Sequence, residues 1–570
     1  MINLFYKKND NKKLFNQLNN LENNNIYSIQ NYIPIYDNFF SINQKNWNSF
    51  NLNHEYQIQE IKEQHNHNTF SIVIQKDNKC ETVDSFFKFS PLLDPIKYMG
   101  GKYRDISKET IFTLPKYGKT HEFEKYTDTN NIAYVDSFFS FLSCKLREKY
   151  NFIHGIKFYG SFIGIQNNFI CDISDDIEYL ENSKLFYQNH GSLFEIDSNY
   201  CCDSYYQTRK YKNPLKIHET AKISVIDPSC DTSLNEMFIA DNKKTKNATL
   251  KTYYKNSLTK RSYQSRSDSN EDTSNSSDSD SDSDSDSGSN IEQVKSSDIN
   301  HNYESEPEYD SEQESELEVN ATIFKIPVHI ICSEKLEHTL DDYINRNDKF
   351  IPLTEWKSIL FQVIMILITY QKVFNFTHND LHTNNIMYSE TNNKFLYYKY
   401  NNKVYKVPTF GKLYKIIDFG RSIYNYKDKE ICSDNYKKGE DAYTQYNFGV
   451  YYNKNKPELK PNHAFDLCRL SCSLIDYFID DYEEIDKIEK NEIIDLILEW
   501  CQDDNGKNIL YKPNGRERFK GFKLYKMIAR ITHHQTPQKQ VSKNLFNDYI
   551  AENITISNLI DIDSMEREYY

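Results

Sequence analysis

The stretch Thr377-His378-Asn379-Asp380-Leu381-His382-Thr383-Asn384-Asn385-Ile386-Met387, followed by Lys415-Ile416-Ile417-Asp418-Phe419-Gly420, decides the fold. An aspartate and an asparagine stand five positions apart in one polar loop, and a second aspartate closes an apolar strand. Phosphoryl transfer needs such a set: one carboxylate to orient the attacking hydroxyl and accept its proton, and two oxygen ligands to hold magnesium on the phosphates. Asp380 is the candidate base, and Asn385 and Asp418 are the candidate metal ligands. Asn384 is disfavoured because it lies one position too close to Asp380. An Asp-Phe-Gly alone is weak evidence; both motifs in this order, each beside an apolar run, are specific.

Upstream of the loop, Thr354 to Phe374 reads as a long buried helix with Thr354 as N-cap. Its longest apolar run, Ile359 to Tyr370, contains Gln362 and is shorter than a membrane span, so no membrane partner is expected. Earlier, Ser71–Ile74 and Ser85–Phe89 read as strands, Ile132 to Tyr150 as a helix, and Ile156–Ile163 with Phe169–Ile173 as a strand pair. Phe324–Cys332 is a strand and Leu340 begins a short helix. Downstream, helices fit Phe465–Phe478, Ile488–Trp500 and Phe522–Thr532, and a hairpin fits Tyr397 to Tyr405. Strands come first and helices second, with the chemistry early in the helical part.

The 570 residues suffice for a two-part enzyme with extensions, yet hydrophobic content is only 38% and mean hydropathy −0.77, so part of the chain should be unfolded. Two segments are assigned to that part. Residues 1–65 are Asn- and Lys-rich and read as a weakly ordered extension. Residues 205–320, which include the Ser/Asp/Glu tract from 266 to 318, read as a disordered, self-repelling insertion. That tract holds much of the net charge of −14, so the chain is not uniformly acidic, and nothing favours a nucleic-acid partner. The 11 cysteines show no metal-finger spacing; Cys468 and Cys472 fit a helical core, and reduced thiols imply an intracellular protein. No secretory signal is visible at the start of the sequence.

Residues 70–200 and 321–550 resemble the protein-kinase-like fold, and more narrowly the uncharacterised serine/threonine-kinase-like proteins of giant, mimivirus-type viruses. The resemblance rests on Phe87-Lys88-Phe89-Ser90-Pro91-Leu92-Leu93-Asp94-Pro95, Phe158-Tyr159-Gly160-Ser161-Phe162, Thr409-Phe410-Gly411 before Ile417–Ser422, and Phe519–Lys526. It implies an α+β bilobal fold, with a small β-rich lobe over 66–204, its last strand and hinge at 321–335, and a helical lobe over 336–570. It implies ATP and magnesium as cofactors, a protein substrate with Ser or Thr acceptors, and the host cytoplasm as location. By the same resemblance Lys88 would hold the nucleotide phosphates, and Asp466 would brace the catalytic loop. An edge-strand lysine facing solvent is the alternative for Lys88, and Lys97 and Lys102 compete for its role.

The sequence departs from that family in several places. No glycine occurs between residues 54 and 87, so a phosphate-covering hairpin would lack the close backbone approach glycines permit. Helix 132–150 has no Glu placed to pair with Lys88; Asp136 is a distant substitute, and Ser140 or Ser143 can occupy the spot. Asn379 stands where an Arg is usual, and no Ala-Pro-Glu follows Asp418. Two alternatives therefore stay open: a small-molecule kinase of the choline or aminoglycoside type, and a pseudokinase scaffold whose acidic insertion recruits partners.

Overall fold

The computed structural model describes residues 2–22, 25–197, 319–346, 351–479, 482–488, 490–552 and 558–569. It is a mixed α+β structure built on a large antiparallel sheet; α-helices occur both before and after residue 340, and further strands follow it, so the expected order of strands first and helices second does not hold. The central strand order is Ile26–Gln30, Phe158–Asp172, Asn320–Glu334, Lys79–Pro91, Thr69–Lys76 and Gln57–Gln64, and Phe194–Ile196 adds to the far end of Asn320–Glu334. Phe87 and Phe89 flank Lys88 on the Lys79–Pro91 strand and turn inward, as the alternation of a half-buried strand requires. The expected insertion at 205–320 lies outside the described residues up to residue 318. The segment's two flanks are side by side, because the Asp197 N–H donates to the Asn320 carbonyl at 3.0 Å.

The N-terminal 65 residues are not a loose extension. Leu14 and Leu18, one helical turn apart, are buried beneath helix Lys12–Asn19, and Ile26–Gln30 forms the edge strand of the central sheet. Asparagines that suggest disorder by composition satisfy one another here. The Asn11 amide donates to Asn51 at 2.7 Å and to Asn31, and all three are buried.

The expected strand pair at 156–173 is one strand, Phe158–Asp172, paired along its length with Asn320–Glu334. Its Gln166-Asn167-Asn168 run reads as a turn, yet the strand passes through it with Asn168 at φ 53°. The helix Leu353–Phe374 begins after Pro352 with no side-chain cap, so Thr354 does not cap it. It is the one helix among the described residues long and apolar enough to cross a membrane, and its side chains fill the core of this fold. The helix expected from Ile488 starts at Glu492, where the Asn491 side chain accepts from Ile493 and Ile494 N–H.

Two elements fix the loops that matter. Helix Ile132–Tyr150 is capped by the Asn131 side chain and packs Phe138, Phe139 and Leu142 inward. Strand Ile386–Glu390 pairs with Lys412–Ile416 in the register Ile386↔Ile416, so the residues preceding one strand and following the other are neighbours. Hairpin Phe395–Tyr400/Lys403–Pro408, expected around Tyr397–Tyr405, joins these two strands and turns on Asn401 and Asn402, both at positive φ.

Candidate active site

The register of that small sheet places Asn385 beside Asp418: the Ile417 N–H donates to the Asn385 carbonyl at 3.0 Å. Asp418 has φ 62°, ψ 71°, a left-handed conformation that short polar side chains tolerate. The turn continues through Gly420, where a Cβ would stand 2.9 Å from Ile132, so helix 132–150 approaches closely only because this residue is glycine. Between them, Phe419 inserts among Phe139 (4.7 Å between ring centroids), His378 (5.8 Å) and Phe376 (6.0 Å).

Lys88 Nζ lies 2.7 Å from Asp136 Oδ2 and 2.8 Å from Asp418 Oδ1. Asp136 is therefore the direct partner of Lys88, not a distant substitute, and Ser140 and Ser143 do not take that place. The same carboxylate accepts the Phe419 N–H through Oδ1 at 2.9 Å, so one buried side chain holds both the lysine and the aspartate turn. Lys97, a competitor by sequence, is turned instead toward Glu440 and Asp94. Burial opposes charge on all three groups of the cluster. It wins at Asp136, whose carboxyl is pushed up; the two carboxylates outweigh it at Lys88, whose pKa is raised, and Lys88 outweighs it at Asp418, which is lowered. The cluster borders a cleft of ≈ 490 Å³ that also touches Ser90, Ile132 and Gly420.

Asp380 is held from below and behind. The fully buried Asp466 accepts the backbone N–H groups of His378 and Asn379, each at 2.9 Å, which fixes the loop one residue before Asp380. Asn379, at φ 66°, donates to the Thr377 and Arg421 carbonyls. The Asn385 amide nitrogen donates to the Asp380 carbonyl at 2.8 Å. The Asp380 carboxylate receives the Tyr525 hydroxyl at 2.8 Å and has Arg421 Nη1 at 3.8 Å. Burial pushes this carboxyl up, but Arg421, His382, Arg469 and the Tyr525 hydroxyl outweigh it and hold it well below the usual range. Burial in turn lowers His382 beside it to about 4, against the raising charge of Asp380.

All four sequence-derived candidates, Lys88, Asp380, Asn385 and Asp418, thus belong to one connected set, and Asp466 braces it. Sequence reasoning missed the roles of Arg421, Tyr525 and Arg469. Arg421 could have been found, since it directly follows the Asp-Phe-Gly turn. Tyr525 lies 145 residues from Asp380, and no local pattern reports such a pairing.

Among the described residues no group of three or more His, Cys, Asp or Glu side chains could hold a metal ion, so any magnesium here would rest on a pair of protein oxygens. Asp418 offers a carboxylate that is 47% exposed, and Asn385 has its amide nitrogen committed, which leaves its oxygen as the available donor. Magnesium takes one or two protein oxygens of this hard type and completes its shell with phosphates and water. The glycine-free hairpin fits a nucleotide less well. At its turn the Asn66 side chain accepts the N–H groups of Asn68 (2.9 Å) and Thr69 (2.8 Å), so those donors are consumed internally. The chain matches no model of a known protein family and no curated protein sequence.

Proposed function

We propose that this chain is a phosphotransferase of bilobal, protein-kinase-like fold that transfers the terminal phosphoryl group of magnesium-ATP to Ser or Thr hydroxyls of a protein. The observation that carries the reading is the bridge made by Asp136, which binds Lys88 from the sheet and the Asp418 turn at once, with Asp380 and Asn385 braced beside it. A strand lysine ion-paired to a helix carboxylate, with the metal-binding aspartate in place, is the arrangement kinase chemistry depends on. The strand meander from Gln57 to Pro91, followed by helix 132–150 and a return to the same sheet, supports the same reading.

Bound magnesium-ATP supplies the transferable group and the cation that neutralises it. Asn385 and Asp418 would hold the cation and Lys88 the phosphates. Asp380 orients the acceptor hydroxyl. Its depressed pKa makes it a weak base, which suits a loose transition state in which positioning and charge neutralisation count for more than early proton removal.

The test is radiolabelled transfer from magnesium-ATP to a generic acceptor protein and to the chain itself, with Asp380→Asn as control. Transfer that falls by about 10²–10⁴ in the variant supports the assignment. Equal transfer by the two proteins removes Asp380 from it.

A scaffold that binds partners without turnover is the second reading. The self-satisfied turn at Asn66 favours it, because it withholds backbone donors from a nucleotide's phosphates. Folded protein that fails to bind magnesium-ATP in a calorimeter would establish that reading over the first.

A further inference from the structure

The segment that follows the Asp418 turn builds a groove that the transfer chemistry does not use. It has a volume of ≈ 620 Å³ and is formed by residues 436–459 with Arg530. Three of its residues carry large apolar side chains to the surface: Tyr443 is 38% exposed, Val450 61% and Tyr452 52%. Scattered exposed apolar residues need no explanation, but three around one concavity mark an interaction site.

The rim is basic. Lys437, Lys438, Lys456 and Arg530 line the groove with one carboxylate, Glu458, which is 3.1 Å from Lys460. Behind the wall Asp128 lies 4.0 Å from Lys437, and with Asp434 and Glu440 its charge reaches Tyr451, which leaves Lys438 and Lys456 as the cations free to meet an acidic chain. Among the described residues Lys438 and Lys456 have no ion-pair partner, and both are exposed. Lys526 behind the rim is lowered by burial and then by the neighbouring charges of Arg530 and Lys456, so the cations are close enough to repel one another. Such a cluster stands out on a chain of net charge −14.

The groove is joined to the candidate base by two hydrogen bonds. Tyr446 on its wall donates to Asn379 Oδ1 at 2.6 Å, one residue before Asp380. Tyr436 donates to the carbonyl of Arg421, whose guanidinium faces Asp380, at 2.8 Å. These bonds tie the groove wall, through buried side chains, to the loop that carries Asp380.

We infer that this groove docks an extended acidic segment of the protein substrate, with an apolar side chain against Val450 and Tyr452 and carboxylates against Lys438 and Lys456. The inference rests on the phosphotransferase reading and names its substrate class: hydroxyls embedded in acidic sequence. The apolar wall distinguishes such an occupant from a nucleic acid, which would leave Val450 without a counterpart.

The test uses the full chain and a synthetic peptide with one serine, one leucine and flanking Asp and Glu. The comparisons are the same peptide with Asn and Gln in place of the acids, and an oligonucleotide of equal charge. Fluorescence anisotropy should show the acidic peptide binding about tenfold tighter than the neutral one, with the advantage lost in Lys438→Glu/Lys456→Glu and shrinking with salt. Zero-length carbodiimide cross-linking should join Lys438 or Lys456 to peptide carboxylates. Equal affinity for both peptides, tighter binding of the oligonucleotide, or cross-links only to the chain's own carboxylates that the peptide does not displace would each overturn the inference.

Binding needs no turnover, so the two readings separate. Charge-dependent docking without phosphoryl transfer would sink the kinase reading and keep the groove. Transfer whose KM for the acidic peptide is unchanged in the double variant would do the reverse; a KM raised about tenfold with kcat retained supports both.

Discussion

Asp136 does two jobs with two oxygens, and substitutions can pull them apart. Asp136→Ala leaves the Phe419 N–H buried without its acceptor and Lys88 with one carboxylate fewer, at a cost of about 2 kcal/mol in unfolding free energy. Asp136→Asn retains an acceptor for the N–H, so urea denaturation should show most of that stability regained. Phosphate transfer should stay depressed in both variants, because neither restores the charge facing Lys88. Recovery of activity in Asp136→Asn would mean that the ion pair is dispensable. Asp380 remains ionised across neutral pH, so the loss caused by Asp380→Asn should be the same at pH 6 and pH 8. That Lys88, Asp380, Asn385 and Asp418 share one connected set was legible for the last three from short, contiguous motifs, and for Lys88 from the resemblance alone. Asp136 was undervalued because counting residues along helix 132–150 does not show which way its N-terminal turn faces, and the close approach at Gly420 is what brings that turn in.

At the scale of elements, the Asp380 loop is held by a helix it does not belong to. Asp466, in the first turn of helix Phe465–Phe478, accepts two loop N–H groups and is wholly buried. Asp466→Ala should cost about 3 kcal/mol, the price of two stranded donors, and hydrogen exchange at His378 and Asn379 should accelerate by more than that at the distant Asn491-capped helix. Uniform acceleration would show a global loss instead of a released loop. Helices whose apolar period runs unbroken, 132–150 and 465–478, were legible to the residue, and the strand through Asn167-Asn168 was not. Asparagines that favour turns also tolerate a positive φ inside a strand, and only the partner strand, more than 150 positions away and in unbroken register there, distinguishes the two.

For the whole molecule, three fully buried histidines make a large contribution to the response to acid. Burial lowers His54, His154 and His329 to about 3, while each takes up a proton near its ordinary value of about 6.5 once unfolded. A folded pKa below the unfolded one means that the unfolded state binds more protons, so stability rises with pH. Their contribution is complete above about pH 6.5 and is lost as pH falls from there toward 3, at up to about 4 kcal/mol per pH unit. The urea midpoint should therefore drop clearly between pH 7 and pH 5; a flat profile would contradict the burial of these rings. The N-terminal 65 residues belong to this whole, and composition hid that, because Asn11, Asn31 and Asn51 solve in the folded chain the same hydrogen-bonding problem that asparagine solves with water elsewhere.

The contact between Asp197 and Asn320 makes the polypeptide divisible. Every strand pairing described on either side is complete without a covalent link at that point, and Phe158–Asp172 lies against Asn320–Glu334 along most of their lengths. Two separately encoded pieces, 1–197 and 319–570, should consequently find each other when co-expressed and copurify through one affinity tag. Closing the same gap with about four Gly/Ser residues should keep the fold and raise its stability, since each halving of the loop lowers the closure cost by about 0.6 kcal/mol; a clear drop in melting temperature would show that the intervening residues hold the two pieces together. Covalent continuity at this position is then a matter of what the intervening residues do, and not of how the rest of the chain folds.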